Sequence, residues 1–260
     1  MQALTLPARR GWRWLADGFG IFRKNRLMLS LAVLGYWMLM VLINSFPLIG
    51  KFAATLLFPV FSVSLMNACR MIDQGDPLTP PILFSGFLKN LRSLLVLGVV
   101  YSVVSVVILG IVALIDDGVL FRYLVLGNPP DDQELSSAQF LLAVQIALLL
   151  YAPIIMAYWY APVLVAWHDL AAGKALFFSF VACARNWRAF LVYALSVMVF
   201  GALLPGLLVG LLISMIPAGG NQFSILLTLL IVLIFMPSLY ASFYVTYRDV
   251  FVRLDVDEDA

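Results

Sequence analysis

Six long apolar runs separated by short polar stretches dominate the chain: 27–46, 52–69, 94–115, 138–167, 190–216 and 223–247. A helix needs about 20 apolar residues to cross the hydrocarbon core of a bilayer. In lipid every backbone polar group needs an internal partner, so runs of this length read as spanning helices. The fourth and fifth exceed what a crossing requires and are expected to tilt, kink or project. Pro153 and Pro162 in the fourth, and Pro205 in the fifth, are the expected kink points, because proline removes a helix donor.

Ahead of three of these runs the pattern repeats. Phe19 leads to Lys24-Asn25, Phe84 to Lys89-Asn90, and Phe180 to Arg185-Asn186, each with four residues between the Phe and the basic residue. The return spans match in part, with Pro59, Ser64 and Arg70 spaced like Pro237, Ser242 and Arg248. The fourth span departs from this, carrying His168-Asp169 near the place of the arginine. The pattern predicts three helical-hairpin units in tandem, all running the same way, unlike the inverted repeats of many transporters. Asn25, Asn90 and Asn186 should occupy equivalent points, each capping or bonding a neighbouring helix end.

An amphipathic helix is expected to lead each unit. In the first, Trp12, Leu15, Phe19 and Phe22 form a stripe, with Arg13, Asp17, Arg23 and Lys24 off it. The second opens at Thr79-Pro80, an N-cap followed by a first-turn proline, and carries Ile82, Phe84, Phe87, Leu88 and Leu91. The third, from Lys174, is more apolar, with Phe177, Phe178, Phe180, Val181 and Trp187. Such helices anchor in the interface with the apolar face toward the acyl chains.

Composition removes the soluble alternatives. Of 260 residues, 63% are hydrophobic and 12% charged, against roughly 45–50% and 25% in soluble domains. The mean hydropathy is +1.02. A soluble fold has no place to hide that much apolar surface. The fold class is therefore an all-α integral membrane protein: six transmembrane helices in three hairpin-like units with cytoplasmic amphipathic helices. Residues 1–260 read as a single polytopic membrane domain, with a cytoplasmic amphipathic segment at 1–26, a membrane core at 27–247 and an acidic cytoplasmic tail at 248–260.

Charge placement orients it. Fourteen of the 16 basic residues fall at one set of loops, leaving only Lys51 and Arg122 for the other, where Asp116, Asp117, Asp131, Asp132 and Glu134 gather. The positive-inside rule puts both termini in the cytoplasm and 116–134 in the periplasm. A net charge of +2 argues against nucleic acid as a partner. Cys69 and Cys183 fall near the cytoplasmic ends of their segments, where thiols stay reduced, and make no zinc spacing. His168 is the only histidine, and a single histidine makes neither a metal site nor a triad.

Candidate chemistry is sparse. No Asp, Glu, Lys or Arg lies in the middle of a span, which counts against an ion-coupled pump. Asn44, Ser45, Ser102, Ser105 and Gln145 are the deepest polar residues. Gln145, Tyr158 and Tyr240 are candidates for lining a cavity that takes an amphipathic molecule; packing and internal hydrogen bonds are the simpler role. If the three units surround one axis, Lys24, Lys89 and Arg185 converge, and with Arg92 and Arg188 they would contact an anionic lipid or phosphorylated ligand. The simpler role is positive-inside anchoring. Gly206 and Gly210 form a GxxxG that permits close helix approach within or between chains. Asp131, Asp132 and Glu134 offer oxygen ligands for a loosely held cation, with a solvated turn as the simpler role, and no metal site or cofactor is expected.

The stretch from Trp12 and Trp14 through Phe22-Arg-Lys-Asn25, the Asn67-Ala-Cys-Arg70 stretch with Gly75, and Tyr247-Arg-Asp249-Val-Phe251 resemble an uncharacterised family of proteobacterial six-span inner-membrane proteins. That family is distantly similar to the membrane portion of some glycerophosphodiester phosphodiesterases; the chain carries no catalytic domain of that kind. The resemblance implies a bacterial inner-membrane location and transfers no site residues. Two functions follow: a non-enzymatic protein binding or moving lipid or a small amphipathic solute, or a membrane scaffold or regulatory subunit, with a membrane-protein partner or a homo-oligomer. An intramembrane enzyme lacks the carboxylate pairs and histidines it would need.

Overall fold

The computed structural model describes residues 3–46, 49–215 and 220–252. The acidic residues Asp255, Asp257, Glu258 and Asp259, expected as a cytoplasmic tail, lie outside them. The long helices are α1 (Arg10–Lys24), α2 (Arg26–Asn44), α3 (Ile49–Gln74), α4 (Leu91–Ala113), α5 (Ala138–Trp159), α6 (Ala161–His168), α7 (Ala172–Arg185), α8 (Trp187–Met198), α9 (Leu204–Met215) and α10 (Gly220–Tyr247). Among the described residues six stretches are long and apolar enough to cross a membrane, at Arg26–Asn44, Ile49–Gln74, Leu91–Ala113, Ala138–His168, Trp187–Ser214 and Phe223–Phe251. Each coincides with one of the six apolar runs. Their outward faces are apolar: Met38, Val41 and Leu42 on α2, Leu148 and Leu149 on α5, and Leu207 and Leu211 on α9 are all exposed. Lipid is the solvent such a surface requires.

The chain folds as two compact units, one from Met1–Gly35, Ser64–Leu83 and Ala182–Ala260, the other from Tyr36–Val63 and Phe84–Val181. In the first, α1 packs on α8 and α10. In the second, α4 packs on α5 and α6, and Asp116 accepts from the amides of Gly118 (3.0 Å) and Leu120 (2.7 Å) to close the turn after α4. At that end Lys51 donates to the carbonyls of Leu124 and Val125, and Arg122 pairs with Glu134 at 2.8 Å. The two basic residues that stand apart from the other fourteen thus share one end of this unit.

The kinks arise differently from the proline-only expectation. The fourth span breaks between Trp159 and Ala161, while Pro153 sits inside continuous helix. At the break the Ser179 hydroxyl enters the helical ladder. The Tyr160 amide donates to Ser179 Oγ at 2.9 Å, and Ser179 Oγ donates to the Met156 carbonyl at 2.8 Å. Tyr160 and Met156 are the i and i−4 partners of an ordinary helical bond, so the hydroxyl replaces that bond with two. Pro162 stands in the first turn of α6, where its missing N–H has no helical partner to leave unpaired. The fifth span widens into a π-type turn at Val199–Leu203, with the Leu204 amide reaching the Val199 carbonyl. Pro205 follows at once, and its absent donor explains the wider turn.

The leading helices are built on small residues. On α1 the buried positions are Gly11, Trp14, Leu15, Gly18, Ile21 and Phe22, while Trp12 and Phe19 are exposed. Of the apolar stripe, Leu15 and Phe22 lie on this buried face and Trp12 and Phe19 on the outer one. Gly11 and Gly18, seven residues apart on one face, let the backbone close on its neighbours. A Cβ on Gly11 would overlap the Ala189 carbonyl oxygen and lie 2.8 Å from the Tyr193 amide; one on Gly18 would lie 2.5 Å from the Ser242 amide. On α7 the buried positions are Ala175, Ser179, Ala182 and Cys183, whereas Phe177 and Phe180 are exposed. The second leading element is a 3-10 helix, Pro80–Phe87, rather than an amphipathic α-helix. Pro80 and Pro81 supply no amide donors there, and Phe84 and Leu88 are exposed.

Candidate functional site

Each of the three Asn residues stands at the junction between a leading element and an outward span. In all three cases its carbonyl accepts from the amide four residues on: Asn25 from Leu29 (3.2 Å), Asn90 from Leu94 (3.0 Å) and Asn186 from Phe190 (3.0 Å). The side chains differ. Asn25 Oδ1 accepts from the Met28 amide at 3.3 Å. Asn90 has a left-handed backbone (φ 57°), and its Nδ2 donates to the Val165 carbonyl (2.8 Å) and to Asp169 (2.7 Å). Asn186 is buried, accepting from the Leu6 amide (2.8 Å) and donating to the carbonyls of Leu4 (2.8 Å) and Ala182 (3.0 Å).

The basic residue beside each Asn meets a different fate. Lys24 Nζ lies 2.9 Å from Asp73, a carboxylate near the end of α3. Arg248 (2.7 Å) and the Tyr244 hydroxyl (3.4 Å) donate to that same carboxylate. A shallow pocket of about 290 Å³ beside it is lined by Lys24, Asn25, Ile72, Asp73, Gln74, Gly75 and Asp76. Lys89 Nζ lies 3.2 Å from Asp169, just past α6.

At the second corner the Asn90 amide and the Lys89 ammonium hold the Asp169 carboxyl below its ordinary value. With the folded value below the free one, the corner is intact above the free pKa, about 3.9, and is lost as the pH falls through the folded value. The Asn90 side-chain amide resonance should therefore hold its position down to the ordinary aspartate range and move only below it. A midpoint at or above about 3.9 would contradict this.

The third corner is wired otherwise. Asp249, the carboxylate at the end of the last span, is 1% exposed and belongs to α1: Arg10 Nε donates to it, and so does Trp14 Nε1 at 2.9 Å. Arg10 also reaches Asp17 at 2.8 Å. The Asp249 hydrogen bond raises the Arg10 guanidinium pKa above its ordinary value, against the opposing effect of burial. Trp14 is fully buried, its ring 5.3 Å from Phe190 and 5.8 Å from Tyr193, and the Tyr193 and Ser242 hydroxyls lie 2.7 Å apart behind it. Asp249 is therefore committed, and Arg185 has no carboxylate partner among the described residues.

Arg188 is exposed and lies over the Trp187 ring at 5.4 Å. Gly11 sits against Ala189, so the first turns of α1 and α8 meet. That brings the exposed Arg9 and Arg13 to the same end as Arg185 and Arg188. The exposed indoles of Trp12 and Trp187 belong to these same first turns. Leu4 donates to the Val250 carbonyl at 3.0 Å, so the two ends of the described chain meet here.

Of the other candidates, Arg92 is exposed on the first turn of α4 and Gln145 is exposed on α5. The Tyr158 hydroxyl donates to the Leu97 carbonyl at 2.9 Å, and its ring packs edge-on to Tyr101 at 5.2 Å. Tyr240 is half-buried on α10. Tyr158 and Tyr240 belong to different units. Sequence reasoning did not propose as site residues the four that decide the corners, Asp73, Asp249, Arg10 and Trp14, although Trp14 and Asp249 stand in the stretches that carry the family resemblance. The available signal was a lone carboxylate at or just past the end of each return span, at Asp73, Asp169 and Asp249.

Six apolar helices, lipid-type outer faces and charged corners at the helix ends define a multi-pass helical membrane protein. A probable inner membrane protein of Burkholderia thailandensis is 37% identical over 259 residues, covering 96% of this chain and 94% of that one. The chain belongs to this inner-membrane protein family. No family model and no solved structure matches it, and nothing in these comparisons supports the likeness to glycerophosphodiester phosphodiesterases.

Proposed function

We propose that the protein is a non-catalytic inner-membrane protein that holds anionic phospholipid headgroups at its third basic corner, with both termini on the cytoplasmic side. The observation that carries this is the difference between the corners. Lys24 and Lys89 are each paired with an aspartate, whereas Arg185 and Arg188 have no carboxylate partner among the described residues, because Asp249 is held by Arg10 and Trp14. Four exposed arginines beside two exposed tryptophans suit an anionic interface, since indole rings favour the headgroup level and each near-surface arginine adds about 1 kcal/mol toward anionic lipid.

The test is the lipid bound by the full chain in nanodiscs of mixed phosphatidylglycerol and phosphatidylethanolamine. Phosphatidylglycerol should be enriched around the unaltered protein. Arg185→Gln with Arg188→Gln should lower that enrichment by about tenfold or more, two charges being worth about 2 kcal/mol. Equal enrichment in both proteins would contradict the reading.

A scaffold role is the second reading, and one observation favours it. A Cβ at Gly206 or Gly210 would meet nothing within 4 Å. Among the described residues the GxxxG face of α9 takes no part in packing, which leaves it available to another helix.

A further inference from the structure

The pocket at the first corner carries groups of both signs. Lys24 and Asn25 line it from the junction of α1 and α2, and Asp73, Gln74 and Asp76 from the end of α3. A glycine turn brings the last of these there. Gly75 has a left-handed backbone (φ 84°), its amide donates to the Ile72 carbonyl at 3.2 Å, and the Asp76 amide donates to the Met71 carbonyl at 2.9 Å. This is the Schellman closure of a helix.

An ammonium group has three donors. Lys24 Nζ spends two on Asp73, one on Oδ1 at 2.9 Å and one on the carbonyl at 3.1 Å. Asp73 also accepts from Arg248 at 2.7 Å, so two cations share that carboxylate. The third donor of the half-exposed Lys24, and part of its charge, remain for another anion. The exposed carboxylate of Asp76 has no hydrogen bond or ion pair among the described residues. A ligand that satisfies both groups carries an anion and a hydrogen-bonding cation. The volume, about 290 Å³, lies at the lower edge of ligand pockets, roughly 300–1,000 Å³, and suits a headgroup rather than a whole lipid. Just beyond Asn25, Leu27 and Leu31 are exposed on the first turns of α2, one above the other, and offer an apolar lane to an acyl chain.

We propose that this pocket binds an aminoalkyl phosphate zwitterion, the headgroup chemistry of phosphatidylethanolamine, with the phosphate on Lys24 and the primary ammonium on Asp76. The proposal is independent of the arginine corner, whose ligand is anionic. A primary ammonium can donate to Asp76 and a trimethylated one cannot, so the site separates phosphatidylethanolamine from phosphatidylcholine. Phosphatidylglycerol carries no cation and leaves Asp76 unmatched.

The experiment titrates the detergent-purified full chain with phosphatidylethanolamine or phosphatidylcholine of matched acyl chains and counts bound lipid by native mass spectrometry. Phosphatidylethanolamine should be favoured by about threefold or more, the scale of one exposed ion pair. Asp76→Asn should erase that preference, and Asp76→Glu, which keeps the carboxylate, should retain it. Lys24→Gln should weaken phosphatidylethanolamine binding by about fivefold, the worth of one near-surface cation. Free phosphoethanolamine is then added as competitor. Displacement of the lipid supports the zwitterion site with the soluble compound as its source, and retention of the lipid supports the membrane source. Equal binding of the two lipids, or a preference that survives Asp76→Asn, would overturn the proposal while leaving the arginine corner untouched.

Discussion

Gly18→Val unseats α1 and destabilises the protein by about 3 kcal/mol or more, beyond the usual range for an overpacked side chain. The size of the effect follows from what the new atoms meet. A Cβ at Gly18 already lies 2.5 Å from the Ser242 amide and 2.6 Å from its Cα. These are backbone atoms of α10, a spanning helix, and cannot swing aside as a side-chain tip does. The helix must move, and moving it draws Trp14 off Asp249 and the Tyr193–Ser242 pair apart. Gly20→Val is the matched control, since a Cβ there meets nothing within 4 Å. Its cost should be no more than a few tenths of a kcal/mol, because valine is at least as good a helix former as glycine. Thermal unfolding in detergent, followed by tryptophan fluorescence, separates the two. Equal midpoints for both variants would contradict the docking of α1 through its glycine face.

Asp249→Ala should cost about 3–5 kcal/mol, the range for a buried ion pair that loses one partner. Arg10 is only 13% exposed and Asp249 1%, so the guanidinium left behind has little access to water, and Trp14 Nε1 loses its acceptor. Asp249→Ala combined with Arg10→Met should recover much of the loss, because an apolar replacement of a buried pair is often neutral. Asp249→Asn should fall between, keeping an acceptor for Trp14 while removing the charge. A double variant no more stable than Asp249→Ala alone would show that the pair contributes through something other than the unpaired charge.

The six spans were legible because their signal is length and apolarity alone, and lipid makes both obligatory. The Asn junctions were legible because Asn25, Asn90 and Asn186 mark a change of helix with a backbone bond that is the same in each. The inward face of α1 was not. Its large apolar residues divide between two surfaces, Leu15 and Phe22 inward and Trp12 and Phe19 outward, so apolarity alone does not mark the inward face. The buried side of α1 sets Gly11 and Gly18 among Trp14, Leu15, Ile21 and Phe22, and that of α7 carries Ala175, Ser179 and Ala182. The break at Tyr160 depends on a hydroxyl 19 positions away, which no local pattern encodes.

The corners were half legible. Their basic residues stood out by repetition. Their differing availability was set by distant carboxylates: Lys24 meets Asp73 across 49 positions, and Arg10 meets Asp249 across 239. One rule covers the first two corners, that the leading lysine takes a carboxylate from the end of a return span. The third departs from it because α1, wedged against α8 and α10, delivers Arg10 and Trp14 to that carboxylate first.

The unequal corners are the central claim, and a matched pair of variants tests them most directly. Native mass spectrometry of the full chain would compare Lys24→Gln with Lys89→Gln against Arg185→Gln with Arg188→Gln, each removing two positive charges. The lysine variant should retain phosphatidylglycerol like the unaltered protein, since each ammonium already has a carboxylate partner, Asp73 (which Arg248 shares) and Asp169. The arginine variant should lose most of it, about tenfold or more. Equal loss in both, or loss confined to the lysine variant, would contradict the account.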